Sequence, residues 1–303
     1  MSVDEKSYLN ADALNRLKRL DVRARLIVEG FLSGQHRSPY HGYAVEFATH
    51  REYVPGDDLR HIDWKVWSRS DRLYIKEYEE ETNLSCTIAL DASQSMQYGG
   101  TWRKYDYAAT VAASLAYLLQ RQQDAIGLAI FNDRLQKVLP ARAHPNQLKL
   151  LVHELEQARP EAGTEATIAL SQLAGQIKNR GIVVLISDLF WPRAQLSESL
   201  KQFRLRGQEV VVVQIIHEDE LTFPFRNETL FRGLESGRQL QTDPPALRKS
   251  YLEAVDRFLA EVRKVCAQTG VDHLLMSTDH KLDAVLGGYL AFRQKVRRRT
   301  RQF

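Results

Sequence analysis

The sequence predicts an α/β protein: a doubly wound, mostly parallel sheet, with an N-terminal extension before it and an inserted hairpin late in the chain. Runs of strand length, the apolar Ile182 to Ile186 and the valine-rich Glu209 to Ile216, have the character of strands covered on both faces. Stretches of helical period alternate with these runs, punctuated by Gly181 and Gly207. One of them, Tyr105 to Gln120, carries Ala108, Ala109, Val111, Ala112, Leu115, Ala116, Leu118 and Leu119, a stripe too broad for a surface helix. It is expected to lie buried against the sheet, where its alanines permit close approach. At 303 residues and 44% hydrophobic content the chain can bury a substantial core. Residues 1–83 are assigned to a helix and a β-rich extension, and 84–303 to the α/β domain with its insertion at about 217–245.

Taken in order, Leu14, Leu17, Leu20, Ala24, Ile27 and Phe31 recur every three or four residues and predict an amphipathic helix ending near Gly30. Ser33 to Tyr43 reads as a loop; His36 and His41 have no second metal-type pair nearby and are not taken as ligands. Pro55–Gly56 suits the two central positions of a type II turn. The acidic pair Asp57–Asp58 that follows reads as structural, neutralised by Arg51 and Arg60. Leu73 to Tyr78 alternates as a strand, Glu79 to Glu81 forms a solvated corner, and Leu84, Cys86, Ile88 and Leu90 share one face of the strand leading into Asp91. Asp124 to Phe131 is a second core strand, followed by a shorter one from Leu135 to Leu139. Helices are expected over 145–158, 165–179 and 194–206, then the valine-rich strand Glu209 to Ile216. Residues 217–245, with Phe223, Pro224, Phe225, Phe231 and Gly233, break the rhythm as an inserted hairpin, either a binding element or a piece packed on the N-terminal segment. A helix over 246–268, a strand from Val271 to Ser277 and a helix from 281 to about 299 close the chain.

Composition excludes several classes. No apolar run approaches the roughly 18–20 residues that span a bilayer, and Asp4, Glu5 and Lys6 precede any apolar run, which is unlike a signal peptide. A cytoplasmic protein without membrane insertion is the expectation. Cys86 and Cys266 have neither a CxxC spacing nor a disulfide framework and are expected as buried thiols. The net charge of +4 is concentrated in Arg293, Lys295, Arg297, Arg298, Arg299 and Arg301, which complement the dipole of a closing helix. No aromatic platform or groove-reading motif accompanies them, so no nucleic-acid partner is expected.

The chemistry-bearing stretch is Asp91–Ala92–Ser93–Gln94–Ser95–Met96, on a loop between a strand and a helix. Such loops sit at the carboxyl ends of a parallel sheet, where ligands collect. One carboxylate and two hydroxyls suit Mg²⁺, which takes oxygen ligands in octahedral geometry and retains waters. Asp91 is expected on a solvated loop, so that its loss leaves folding nearly intact. Two later stretches, Gly163–Thr164–Glu165 opening a helix and Ile182 to Asp188 ending a buried strand in a carboxylate, have the matching order. Together the three resemble the metal-ion-dependent adhesion site of von Willebrand factor A domains, a Rossmann-type fold. The resemblance implies a metal set of Asp91, Ser93, Ser95, Thr164 and Asp188, holding Mg²⁺ or alternatively Mn²⁺ or Ca²⁺. It also implies that the strand beginning at Leu135 is an antiparallel edge. Thr164 equally fits a plain helix cap. Leu189 departs from the pattern, standing where many such domains have glycine.

A longer compound motif, Arg51 to Arg60 with Ile62–Asp63–Trp64, then Lys76–Glu77 and Glu80–Glu81, precedes the Asp91 loop. It strongly resembles an uncharacterised bacterial domain family, von Willebrand A-like in type and typically encoded beside MoxR-type AAA+ ATPases. The resemblance spans roughly residues 14–295 and implies an interaction module: an adaptor of a MoxR-type ATPase, with a client protein offering an Asp or Glu to the metal. The rival reading is a metal-dependent phosphoryl-transfer hydrolase with Asp91 as nucleophile. Such enzymes carry a second acid where this chain has Ser93, a loss of about 10²- to 10⁴-fold. No phosphate-binding glycine loop and no GxSxG elbow are legible, so no catalytic residue is assigned.

Overall fold

The computed structural model describes residues 19–35, 50–53, 66–67, 73–76, 84–100, 102–161, 166–234, 237–279, 282 and 286–292. The chain forms two compact units, one of Met1–Ser33 with Leu84–Phe303, the other of Gly34–Asn83.

In the smaller unit, β1 (His50–Glu52) pairs antiparallel with β2 (Tyr74–Lys76), Arg51 opposite Ile75. The Tyr53 N–H extends the ladder by donating to the Leu73 carbonyl at 2.9 Å. Residues 54–65, with most of the Arg51 to Trp64 motif, lie outside the described residues.

The first described element of the chain is α1 (Leu20–Gln35), which runs through Gly30 rather than ending there. Glycine inside a helix costs only about 1 kcal/mol, and burial of Leu20, Ala24, Ile27 and Val28 along one side outweighs it. The sheet is built from β3 (Ser85–Asp91), β4 (Ala125–Phe131), β5 (Leu135–Arg142), β6 (Ile182–Ser187), β7 (Glu209–Ile216) and β10 (Asp272–Ser277). Its order is β10-β7-β6-β3-β4-β5, with every pairing parallel except β4 with the edge strand β5. From β3 the chain builds outward through β4 and β5, then returns to lay β6 on the other side of β3. Strand order therefore reverses between β3 and β6, the kind of switch point at whose carboxyl ends parallel sheets bind ligands.

Side chains alternate across the sheet as the two-residue period requires. Ile88, Leu90, Ile126, Leu128, Val184 and Ile186 face a core shared with α1, α2 (Lys104–Arg121) and α3 (Gln147–Gln157). Ala89, Ala129, Val183, Leu185 and Val212 face the opposite core, made with α4 (Ala166–Gln176), α5 (Arg193–Leu205) and α7 (Pro244–Gln268). Ala108, Ala112 and Ala116 of α2 are wholly buried, which is the close approach the alanine-rich pattern predicts. The predicted insertion contains the short helix α6 (Glu218–Thr222) and a hairpin of β8 (Thr229–Arg232) and β9 (Gln239–Thr242). Its rings gather locally: Phe223 stacks on Tyr251 of α7 at 4.4 Å and on Phe231 at 5.7 Å. Residues 286–292 are helical and return Leu286 and Tyr289 to the α1 core.

Gly181 sets the spacing where β6 enters beside β3. A Cβ there would collide with the Ser85 carbonyl oxygen, a backbone atom, while the Gly181 carbonyl accepts the Glu209 N–H at 2.9 Å. Gly181→Ala is expected to destabilise the protein by about 1–3 kcal/mol, read from the urea midpoint at unchanged slope; a midpoint equal to wild type contradicts this packing.

Candidate metal centre at the carboxyl ends of the central strands

Asp91 is the last residue of β3 and is only 1% exposed, so the expectation of a solvated aspartate is corrected: it is part of the interior. The reason is the sheet itself. The ladder continues past it, with the Ala92 N–H donating to the Phe131 carbonyl at 2.7 Å. The chain then turns, because the Ser93 N–H donates to Asp91 Oδ1 at 2.8 Å, and Gln94–Gln97 form a 3₁₀ turn pinned by buried Met96. The Ser93 and Ser95 hydroxyls lie 3.0 Å apart and hydrogen-bond to each other. The first three candidate ligands are thus brought together on one loop.

The segment before α4 runs alongside. The Glu161 N–H donates to the Ala92 carbonyl at 3.0 Å, and Gln97 Nε2 donates to the Pro160 carbonyl. Thr164 lies outside the described residues.

The third loop leaves β6 at the same level, since Leu90 pairs with Ile186. Ser187 donates its hydroxyl to Asp91 Oδ2 at 2.6 Å and accepts the Leu189 N–H at 2.9 Å. Asp188 is fully buried; its Oδ1 accepts the Phe190 N–H at 3.3 Å, and its carbonyl accepts Gln214 Nε2 at 3.2 Å. Gln214 in turn meets His273 Nε2 at 2.9 Å, so β7 and β10 brace the loop from behind. Leu189 adopts φ 61°, the left-handed backbone that glycine adopts without strain. A leucine there costs about 1–2 kcal/mol, which its complete burial offsets.

The sequence reading missed Lys104. Its ammonium is wholly buried and donates to Asp188 Oδ2 and to Glu220 Oε1, both at 2.8 Å, with the Phe190 ring 4.7 Å away. The signal was available: a lysine at the first position of a helix opposes the helix dipole, and this one precedes an otherwise buried run. Glu220 and Ser187 were missed as well, and nothing in their local sequence marks them.

Electrostatics follow from burial. Desolvation, reinforced by the charge of Asp188, pushes the Asp91 carboxyl up to about 7, against the hydrogen bonds from Ser187 and Ser93. For Lys104, burial works against the ammonium, but Asp188 and Glu220 outweigh it and its pKa ends above the ordinary value. Two buried carboxylates and two hydroxyls present only oxygen, and one lysine neutralises only part of their charge. That donor set fits a hard divalent cation that takes few protein ligands and keeps waters. Among the described residues no three His, Cys, Asp or Glu side chains gather in ligating geometry, so the hydroxyls are integral to the fit.

Fold and site define an α/β domain with a mostly parallel sheet, its candidate centre at the point where strand order reverses. The chain belongs to the family described as "Protein of unknown function DUF58", which matches residues 49–260. It is similar to the uncharacterized protein Rv1480 of Mycobacterium tuberculosis (strain ATCC 25618 / H37Rv), 25% identical over 285 residues that cover 92% of this chain and 89% of the relative. Uncharacterized protein Mb1516 of Mycobacterium bovis matches to the same extent, 25% over 285 residues, 92% and 89%. Among solved structures, the conserved hypothetical protein BatB from Bacteroides thetaiotaomicron superposes with TM-score 0.49 at 16% identity, covering 70% of this chain and 99% of BatB. The SpRpn10 VWA domain does so with TM-score 0.38 at 13% identity, covering 67% and 94%.

Two outcomes are expected. Asp91 holds its proton to about pH 7 when folded but only to about 3.8 when unfolded, so the fold binds more protons and loses stability as pH rises through that window. In EDTA, the melting temperature should fall between these pH values in wild type, and this component should vanish in Asp91→Asn; a parallel decline in the variant contradicts the assignment. Leu189→Gly relieves about 1–2 kcal/mol of backbone strain but forfeits about 2–5 kcal/mol of packing. A net loss in urea-measured stability is therefore expected, and a stabilised variant means that strain dominates.

Proposed function

We propose that the protein is a non-enzymatic, metal-dependent interaction module of the cytoplasm, an adaptor that couples a MoxR-type AAA+ ATPase to the assembly or activation of a client protein complex. The observation that carries this reading is the meeting of the Asp91–Ser93–Ser95 loop with the Asp188 loop at the strand-order reversal. Support for the ATPase comes from the resemblance carried by the Arg51 to Trp64 motif.

Asp91, Ser93, Ser95 and Asp188 would hold Mg²⁺, or Mn²⁺ or Ca²⁺, joined by Thr164 if the resemblance extends to the second loop. When bound, the ion would supply a coordination position for a client's Asp or Glu. The chain's own residues do the rest. Ser187 and the Ser93 N–H fix both oxygens of Asp91. The Phe190 N–H and Lys104 fix those of Asp188. Phe190 keeps 41% of its surface exposed beside the loop and offers a partner an apolar contact. Serine at position 93, where a phosphoryl-transfer enzyme needs an acid, favours binding over turnover.

The test compares tagged wild type with Asp91→Asn/Asp188→Asn, whose side chains preserve volume, in pull-downs from the native cell. An AAA+ ATPase is expected with wild type, with or without nucleotide, and a client is expected in Mg²⁺ but not in EDTA or with the double variant. Absence of any AAA+ protein removes the adaptor reading, and equal client recovery in EDTA removes the metal. Phosphatase or ATPase turnover by the purified wild type that disappears in the double variant reverses the non-enzymatic assignment.

A further inference from the structure

We propose that Lys104 is a built-in rival of the metal: its ammonium occupies Asp188 Oδ2, a divalent cation engages the third loop by displacing it, and Glu220 retains the displaced ammonium. This rests on the metal reading above and concerns how that site is regulated.

The geometry is specific. Lys104 Nζ lies 2.8 Å from Asp188 Oδ2 and 2.8 Å from Glu220 Oε1, in a place with no solvent exposure. An ammonium has three donors, and these two bonds commit two of them. The Phe190 ring at 4.7 Å and the Tyr98 ring at 6.0 Å present π faces to it. Asp188 Oδ1 meanwhile accepts the Phe190 N–H. The oxygen best placed to add a strong electrostatic bond is therefore the one that Lys104 holds. A divalent ion and an ammonium on the same oxygen repel each other strongly where burial lowers the dielectric.

Glu220 is built to stay behind. Its Oε2 accepts the His217 N–H at 2.8 Å, closing a capping box at the start of α6, while Oε1 faces Lys104. An ammonium leaving Asp188 thus keeps a fixed carboxylate and need not be expelled. Asp91 lies outside this exchange, since its oxygens are held by the Ser93 N–H and the Ser187 hydroxyl. Lys104 therefore weakens metal binding at one loop only and links occupancy to α6, where Asp219 accepts the Tyr98 hydroxyl at 3.2 Å.

The test is the charge-balanced pair Lys104→Met/Glu220→Gln in the full chain. It removes one cation and one anion, leaves the net charge of the site unchanged and frees Asp188 Oδ2. Mn²⁺ binding, followed by the loss of the free-ion paramagnetic resonance signal, is expected to be at least tenfold tighter than in wild type. Equal or weaker binding by a cooperatively folded double variant overturns the proposal while leaving the metal site standing, provided wild type binds. No Mn²⁺ binding by either protein removes both. If the double variant does not fold, wild type labelled with ¹⁵N-lysine decides: the exchange-protected ammonium resonance is expected to shift as Mg²⁺ saturates the site, and a resonance unmoved at saturation overturns the exchange.

Discussion

Two carboxylates buried at the ends of neighbouring strands are the constraint around which the large unit is arranged. Parallel pairing of β3 with β6 aligns Leu90 with Ile186, so the loops carrying Asp91 and Asp188 leave the sheet at one level. Both side chains are almost completely buried, and at Asp91 desolvation and the charge of Asp188 act against ionisation. The two receive different treatment. Asp91 is met by hydrogen bonds from Ser187 and the Ser93 backbone and keeps a raised pKa. Asp188 is met by a full positive charge from Lys104.

Delivering that charge shapes the packing around it. Lys104 stands at the start of α2, where the helix dipole disfavours a cation by about 0.3–1 kcal/mol. Removing one partner of a buried ion pair costs about 3–5 kcal/mol, so the pair prevails over the local preference. The helix can begin so near the sheet because Ala108 and Ala112 line its buried side. Glu220 then ties the insertion into the same ion pair through the capping box of α6. The insertion is thereby anchored at its base to the candidate centre, while its aromatic cluster packs on Tyr251 of α7.

The family match and the fold do not share boundaries. Residues 49–260 contain the Asp91 and Asp188 loops of the candidate centre. Yet Ile27 and Val28 of α1 and Leu286 and Tyr289 near the other end sit in the same core as α2, and β10 extends the sheet beside β7. His273 of β10, beyond the match, braces Gln214 and through it the Asp188 carbonyl. Segments outside the matched region thus contribute rigidity to the loop inside it.

What the sequence determined by itself was whatever depends on period and punctuation. Apolar runs such as Ile182 to Ile186 define strands because burial on both faces demands continuous hydrophobicity, and the alanine stripe of α2 defines a buried helix by its breadth. The Asp91 loop was legible from a short pattern of oxygen-bearing residues after a strand, and Leu189 from its place where glycine is usual; its φ of 61° is the left-handed backbone that glycine adopts without strain. The passage of α1 through Gly30 was not legible, because tertiary burial outweighs a propensity cost near 1 kcal/mol. Nor was the partnership of Lys104 with Asp188 and Glu220, separated by 84 and 116 residues. Local pattern records which side chains can be charged; only the crossing of α2, β6 and α6 at one point fixes which charges face each other in the interior, and there the low dielectric makes the pairing decisive.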